Sequence, residues 1–531
     1  MKRSAAAKGL APRRASDTAD SDIDFANPEF RRLVQMVEDT NQSIFLTGKA
    51  GTGKSTFLRY IIGHTAKKCA VLAPTGIAAV NVGGQTLHSF FHLPLQPVLP
   101  DDPDFHSSRP RDRLSLTGRS IKLFKEIELI VIDEISMVRA DIIDLIDRIL
   151  RTFGGDRRKP FGGKQLLLVG DVFKLEPVVT QEDKSILQKE YSYPFFFNAR
   201  VFATFGLVSI ELRKVYRQQQ LDFVEILDRF RAGTPDRADM QAINNRLTDP
   251  DSKPQARIVM TLASRRDIVK QINDAQLDRL RGRQTIYRGD VSGDFPSTAY
   301  PTDLELRLKK GAQVIFLRND PERRFVNGTL GIVAGIKADA LTVSLEDGTD
   351  INVEPATWEN VSYQYEEKTK RVSTIVKGTF TQFPVKAAWA LTIHKSQGLT
   401  FDRIVIDLGR SGAFAGGQVY VALSRCTSLE GIELRSPIDA RDVFVHPEVL
   451  RFSRTFNDIR AQEEALRAAR AETLLADAEA AYSRGDNRTA VELFNRAIIS
   501  APHLNTPAFR RLVAMKLSRP TLSRRKKPRK P

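Results

Sequence analysis

The chain has 531 residues, 41% of them apolar, enough for three or four domains with buried cores, which excludes a disordered protein. Its formal net charge of +17 points to a polyanionic partner such as nucleic acid. Twelve of those charges sit in two acid-free ends, Lys2, Arg3, Lys8, Arg13 and Arg14 at the start and Arg519, Arg524, Arg525, Lys526, Lys527, Arg529 and Lys530 at the finish, so a site on the body must be a local stripe.

Cys69 and Cys426 lie far apart in apolar runs, so two reduced, buried thiols and a reducing compartment are expected. No run reaches the ~18 apolar residues of a membrane span, so no membrane partner is expected. The arginine-rich start fits a transit peptide and RRKKPRK fits a nuclear address. A cytoplasmic, nucleoid-associated protein and a nuclear or mitochondrial one both stay open.

Residues 1–24 are small, charged and aperiodic, and are expected to be a disordered basic N-terminus. From Ser43 the runs SIFLT, CAVLAP, ELIVIDE and QLLLVGD are each one strand long and lack polar alternation, as parallel strands buried on both faces do. Between them, SMVRADIIDLIDRILRTF spaces Met137, Ile142, Ile146, Ile149 and Leu150 along one helical stripe. After Val201 the pattern recurs in VSIEL, RIVMTLA and FDRIVIDLG, predicting a second α/β lobe. Over 302–380 short β-type runs with hairpin signals at Asn327-Gly328 and Asp347-Gly348 predict a small β-barrel inserted in that lobe. Beyond about 448 the chain reads as alanine- and arginine-rich helix.

Three stretches carry chemistry. GKAGTGKS, from Gly48 to Ser55, fits GxxxxGK[ST] between a strand and a helix. Its glycines let backbone N–H groups wrap phosphates at a helix N-terminus, Lys54 neutralises the β and γ phosphates, and Ser55 ligates magnesium. The nucleotide-binding set is Gly48, Ala50, Gly51, Thr52, Gly53, Lys54, Ser55 and Thr56. IVIDEIS ends a strand in two carboxylates: alternation aims them apart, Asp133 at magnesium and Glu134 at the attacking water. LTIHKSQGLT crowds Thr392, His394, Lys395, Ser396 and Gln397 between the apolar stretches FPVKAAWA and FDRIVIDLG, which suggests an acidic ligand at a cleft.

Together GKAGTGKST, APTGIAA, GGQTLHSFF, VIDEISMVRAD, PFGGKQLLLVGDVFKLEPV, LRKVYRQ, AWALTIHKSQGLTFD and VYVALSRCTSLEGI resemble, in order, the motifs of the PIF (petite integration frequency) family of superfamily one DNA helicases, from about Asn27 to Ser436. The resemblance implies two RecA-like P-loop lobes with parallel sheets, an SH3-like β-barrel inserted in the second, and an ATP- and Mg2+-dependent motor moving 5′ to 3′ on single-stranded DNA and opening 5′-tailed duplex. It implies boundaries at 25–205 for lobe one with a wedge at about 83–118, at 206–301 and 381–447 for lobe two, at 448–518 for a helical extension and at 519–531 for a basic tail.

In the site, the resemblance implies that Arg217 and Arg425 stabilise the transferring phosphoryl group beside the catalytic Lys54 and Glu134. Thr75, Gly76, Thr86, His88, Thr392, His394, Ser396 and Gln397 match DNA-contacting positions, and Gly398 allows close backbone approach to phosphate. Phe90 and Phe91 read as core, with base stacking the alternative, and Phe195, Phe196 and Phe197 read as core. The chain departs from the family at Lys174, where a glutamine normally senses the γ-phosphate; a lysine contacts phosphate as a point charge but does not orient water as an amide does. Asn27 and Gln35 are the nearest candidates for adenine recognition. Ala490, Phe494, Ala497 and Pro502 follow tetratricopeptide spacing with Gly485 at the turn, and a lone repeat must dock on the body or on a protein partner. A monomer is expected. A translocase that strips proteins or folded DNA and a non-motor nucleic-acid scaffold are the competing readings.

Overall fold

The computed structural model describes residues 24–49, 51–94, 96–100, 116–177, 179, 181–216, 221–248, 258–322, 324–337, 340–366, 371–409, 412–501 and 507. The basic N-terminus up to residue 23, Ala50, residues 101–115 of the expected wedge, Arg217, Pro502 and the basic tail lie outside them.

Strands β1 (Ile44–Gly48), β2 (Cys69–Ala73), β3 (Gln85–Thr86), β4 (Leu129–Ile132), β5 (Gln165–Val169) and β6 (Val208–Leu212) form a parallel sheet in the order β3-β2-β4-β5-β1-β6. Their apolar runs are unbroken because successive side chains feed two different cores. Phe45, Ile130, Ile132, Leu166 and Leu168 pack on one face with Phe90, Phe91 and Phe124. Ile44, Leu46, Leu129, Val131 and Leu167 pack on the other with Phe30 and Phe57. Phe90 and Phe91 are therefore core side chains, and their base-stacking alternative falls. Phe195 and Phe196 are buried in the first core, with Phe197 packed against it.

Two sequence expectations shift. VSIEL, assigned by pattern to the second lobe, is β6 and pairs in parallel with β1 on the first sheet. A strand buried on both faces carries no mark of which sheet it joins, so the pattern could not place the lobe boundary. The Ala140–Phe153 helix buries Ile142, Ile146, Ile149 and Leu150 as patterned, but Met137 belongs to a separate 3-10 turn, Ile135–Met137. Cys426 is buried, whereas Cys69, at the open end of β2, is only partly so; both thiols are free.

The second lobe is a parallel sheet of β7 (Met260–Ala263), β18 (Ala390–Thr392), β19 (Ile404–Asp407) and β20 (Ile432–Leu434), ordered β18-β7-β19-β20. Its core includes Met260, Leu262, Ile404 and Ile406 with Phe223, Ile226, Leu227 and Phe230 of the Leu221–Ala232 helix. Between β7 and β18 the chain is antiparallel: β8 (Thr285–Arg288), β9 (Asp290–Gly293), β10 (Glu305–Leu308), β11 (Gln313–Phe316), β12 (Leu330–Ile336), β13 (Leu341–Leu345), β14 (Asp350–Val353), β15 (Ala356–Glu366), β16 (Arg371–Gln382) and β17 (Val385–Ala387). They group as β14-β13-β12-β11-β17, β10-β8 and β15-β16-β9. Gly328 and Gly348 take the positive φ that their turns demand, at 98° and 85°. Antiparallel pairing starts at Thr285, earlier than the expected 302, because β8 and β9 are mostly polar and exposed and give no apolar texture.

The C-terminal helices Pro447–Ser453, Ile459–Ser483 and Asn487–Ser500 return to lobe one. Phe452 and Phe456 pack on its first core and Leu466 joins its second. At Asn457, in a left-handed conformation, the side chain accepts from the Glu211 N–H at 2.9 Å and donates to the Glu211 carbonyl at 3.1 Å, covering the otherwise open edge of β6. The last two helices pack on each other through Ala471, Ala497 and Ala501. Among the described residues no helix is long and apolar enough to cross a membrane.

Candidate nucleotide and nucleic-acid site

The loop after β1 has the shape of a phosphate cradle. Gly51 and Gly53 take φ of 78° and 90°, and a Cβ on Gly48 would lie 2.6 Å from the Thr52 hydroxyl and 2.7 Å from the Leu212 carbonyl, so only glycine fits there. Thr52 is buried and donates to the Lys49 carbonyl at 2.9 Å; Thr56 is half-buried. The Lys54–His64 helix begins at the loop, with Ser55 exposed at its first turn. Lys54 folds back, its ammonium donating to the carbonyls of Gly48 at 2.6 Å and Lys49 at 2.8 Å. Burial, together with Lys174 and Arg231, pulls its pKa down to about 7, against the opposing pull of Asp171 and Glu134. An anion arriving at this loop would replace the carbonyls and relieve that crowding of positive charge.

Beyond β4, Asp133 hydrogen-bonds back to Leu72 through its N–H, at 2.9 Å, and its Oδ1 accepts from the Glu134 N–H at 2.9 Å. Burial and then the neighbouring Glu134 raise the Asp133 carboxyl to about 6. Glu134 sits at φ 49°, ψ 44°, a left-handed conformation costly for a residue with a Cβ and typical of functional sites. That turn, rather than strand alternation, separates the two carboxylates, since β4 ends at Ile132. Glu134 Oε2 is buried with no hydrogen-bond partner among the described residues, and Lys174, itself buried, lies 3.9 Å from Oε1. Among the described residues no cluster of three or more metal-ligating side chains exists. A P-loop magnesium needs only a hydroxyl and a carboxylate beside phosphates and water, so Ser55 and Asp133 fit it.

Lys174 belongs to the segment Gly170–Pro177, which stitches the lobes together. Phe173 lies in a core of lobe one and Leu175 in the core of lobe two. A Cβ on Gly417 would collide with the Phe173 and Lys174 carbonyls, so the Gln418–Leu423 helix of lobe two starts against this segment.

Several of the candidate strand contacts already hold partners within the chain. The hydroxyls of Thr75 and Thr86 cap helices, accepting from the N–H groups of Ala78 and Ser89 at 3.2 Å each, and Thr392 accepts from Lys395 N–H at 3.2 Å. Ser396 is fully buried and donates to the Ile393 carbonyl at 2.8 Å, so its hydroxyl is a structural brace rather than a phosphate donor. Gly76 abuts the insert: a Cβ there would lie 2.7 Å from that of Ala299. His88 and His394 are half-buried, and burial first, then Arg139 for the one and Arg266 for the other, holds both below the usual histidine value. Gln397 Nε2 is buried with no partner among the described residues, a donor still to be used. Gly398, at φ 81°, is exposed with open space around it.

Arg425 lies within lobe two, beside the LTIHKSQGLT loop. It is buried, and its guanidinium donates to the carbonyls of Leu399 at 2.9 Å and Val421 at 3.0 Å and to the Ser424 hydroxyl at 2.9 Å. Here it braces the end of the LTIHKSQGLT loop. Sequence reasoning missed Tyr216, whose N–H donates to Gly51 at 2.9 Å and whose hydroxyl meets Asp24 and Asn27 beside a groove of about 360 Å³. Its place in VYRQ, next to Arg217, was the available signal. Asn27 lines that groove, while Gln35, two turns along the Pro28–Asp39 helix, is not among its lining residues.

The sequence model described as PIF1-like helicase matches residues 29–240. The ATP-dependent DNA helicase Pif1 of Bdellovibrio bacteriovorus is 31% identical over 427 residues, covering 79% of this chain and 90% of that protein. The crystal structure of Bacteroides sp Pif1 in complex with ADP-AlF4 is 36% identical, covers 81% of this chain and 97% of that one, and superposes with a TM-score of 0.74. Bacteroides Pif1 bound to ssDNA, also 36% identical with 81% and 97% coverage, superposes with a TM-score of 0.58. With the phosphate loop, the paired carboxylates and the two-lobed α/β framework in place, this chain belongs to the PIF1-like helicase family.

Proposed function

We propose that the chain is an ATP-dependent DNA helicase that moves 5′ to 3′ along single-stranded DNA and parts the complement. The observation that carries this is the meeting of Lys54, Glu134 and Lys174 in one charge cluster where segment Gly170–Pro177 of lobe one enters the core of lobe two. In this reading hydrolysis at that seam drives lobe movement.

In this reading Lys54 leaves the Gly48 and Lys49 carbonyls for the β and γ phosphates, and Tyr216 and Asn27 flank the base. Glu134, with one oxygen bare, accepts the proton of the attacking water. Ser55 and Asp133 hold Mg2+, which when bound neutralises charge developing on the phosphates. Arg217 and Arg425 stabilise the transferring group, Arg425 by exchanging the Leu399 carbonyl for phosphate and so moving the loop that carries Thr392, His394 and Gln397. Those residues, with Thr75, Gly76, Thr86 and His88 across the cleft, contact the strand backbone without reading sequence. The protein acts as a monomer on nucleic acid, and the Asn487–Ser500 helix, with Val491 and Ile499 exposed, offers a surface to a protein partner.

The test is strand displacement on 5′-tailed and 3′-tailed duplexes. ATP-dependent separation of the 5′-tailed substrate alone is expected. Separation of the 3′-tailed substrate alone would reverse the polarity, and DNA-stimulated hydrolysis without separation would favour the translocase.

A further inference from the structure

The Leu221–Ala232 helix belongs to the core of lobe two, yet its Arg231 is committed to lobe one. Arg231 is buried and donates to both oxygens of Asp171, Nη2 at 3.1 Å from Oδ1 and Nε at 3.4 Å from each oxygen, while its Nη1 lies 3.0 Å from Glu211 Oε1 on β6. The guanidinium also stacks on Phe173, 4.2 Å from the ring centroid. One turn earlier on the same helix, Asp228 pairs with Lys49 of the phosphate loop. One helical face thus grips both phosphate-facing segments of lobe one.

Asp171 relays that grip. It is fully buried and also accepts from Tyr420 of lobe two at 3.4 Å. Its Oδ1 accepts from the Phe173 N–H at 3.2 Å and its carbonyl accepts from the Lys174 N–H at 3.1 Å. The turn that aims Lys174 at Glu134 is therefore built on the residue that Arg231 holds. Burial by itself would raise the Asp171 carboxyl, but Arg231, Lys54 and Lys174 more than offset it and keep it ionised.

We propose that Arg231 is a positioning residue: by clamping Asp171 when lobe two docks, it sets the Lys174 ammonium beside Glu134 and makes phosphate cleavage depend on lobe closure. This rests on the nucleotide-site reading above. A lysine at 231 keeps the charge but loses the planar fork that engages two carboxylates at once.

The test uses the full chain with Arg231→Lys, Arg231→Gln, Asp171→Asn and the double variant Arg231→Gln/Asp171→Asn. It measures melting temperature, ADP affinity and ATP turnover with and without an oligothymidine strand. We expect ADP affinity within about twofold of the parent and DNA-stimulated kcat at least about tenfold lower, with the double variant no worse than the weaker single, because the two residues act as one unit. Stimulated kcat within about threefold of the parent in Arg231→Lys overturns the proposal, as does ADP affinity falling in step with turnover, or single-variant losses that multiply in the double. Should Arg231→Gln fail to fold, Arg231→Lys carries the same thresholds. Lys54→Ala run alongside separates the two readings: if it retains hydrolysis the nucleotide site is wrong, and if it is inactive while Arg231→Lys is normal only the clamp falls.

Discussion

The regions proposed to face the nucleotide and the DNA strand use polar groups in opposite ways. Around the phosphate loop, groups are left under-satisfied: Glu134 keeps a bare buried oxygen, Lys54 makes do with its own loop's carbonyls, and Asp133 is pushed toward neutrality. On the strand-facing side, Thr75, Thr86, Thr392 and Ser396 already hold backbone partners. The first arrangement suits a site that exchanges its contacts each cycle, because a phosphate ligand would improve on the partners those groups have within the chain. The second suits a rail, where fixed turns present donors to any backbone that passes and no single hydroxyl matters much.

That contrast has measurable consequences. Lys54→Ala should lower ATP turnover on the order of a thousandfold while single-stranded DNA affinity, read by fluorescence anisotropy, stays near the parent value. Parallel loss of DNA binding would merge the two regions into one. Glu134→Gln should cost about a hundredfold or more in kcat with nucleotide affinity retained, since the general base acts only on the water. A hydrolysis defect matched by an equal loss of ATP affinity would move Glu134 from catalysis to binding.

A smaller effect concerns pH. The Asp133 carboxyl is raised to about 6 in the folded protein, so in the metal-free chain its contribution to stability is complete below the ordinary value of 3.8 and is lost as pH rises through about 6. Cation binding needs the ionised form, so magnesium-dependent nucleotide affinity should weaken by roughly tenfold per pH unit below that value. Titrating Asp133→Asn alongside assigns the effect; an unchanged pH profile in that variant would place the titrating group elsewhere. Smallest of all, Thr86→Ala should cost about 1 kcal/mol of stability through its lost cap, and no more than about threefold in DNA affinity. A tenfold loss of affinity without loss of stability would mean its hydroxyl turns to phosphate on binding and would erase the contrast.

Legibility in the sequence followed the same division. The glycine turn before Lys54 and the left-handed turn at Glu134 fall where the motifs GKAGTGKS and IVIDEIS place a loop after a strand, because the motif fixes residue types at fixed spacing. Ser396, Thr75 and Thr86 lay in segments that the motifs mark, yet their hydroxyls serve helix caps and a buried brace, which a motif does not distinguish from ligand contacts. Arg231 carried no signal, since a basic residue near the end of a helix ordinarily reads as a solvated face. Lys174 stands out in the sequence as a departure from the family, but its proximity to Glu134 depends on a turn 40 residues downstream in sequence.

The sequence by itself determined that strands such as Ile44–Gly48 and Leu129–Ile132 would be buried on both faces, and that a phosphate loop and two acids would stand at their ends, because those features follow from local periodicity and backbone sterics. Only the tertiary structure decided that Val208–Leu212 joins the first sheet, that the C-terminal helices return to cover that sheet's edge, that Arg425 braces a loop and that Arg231 reaches across to Asp171. Those outcomes depend on which distant groups share one desolvated space, and a charge or an apolar strand is satisfied equally well by any partner that the fold brings near.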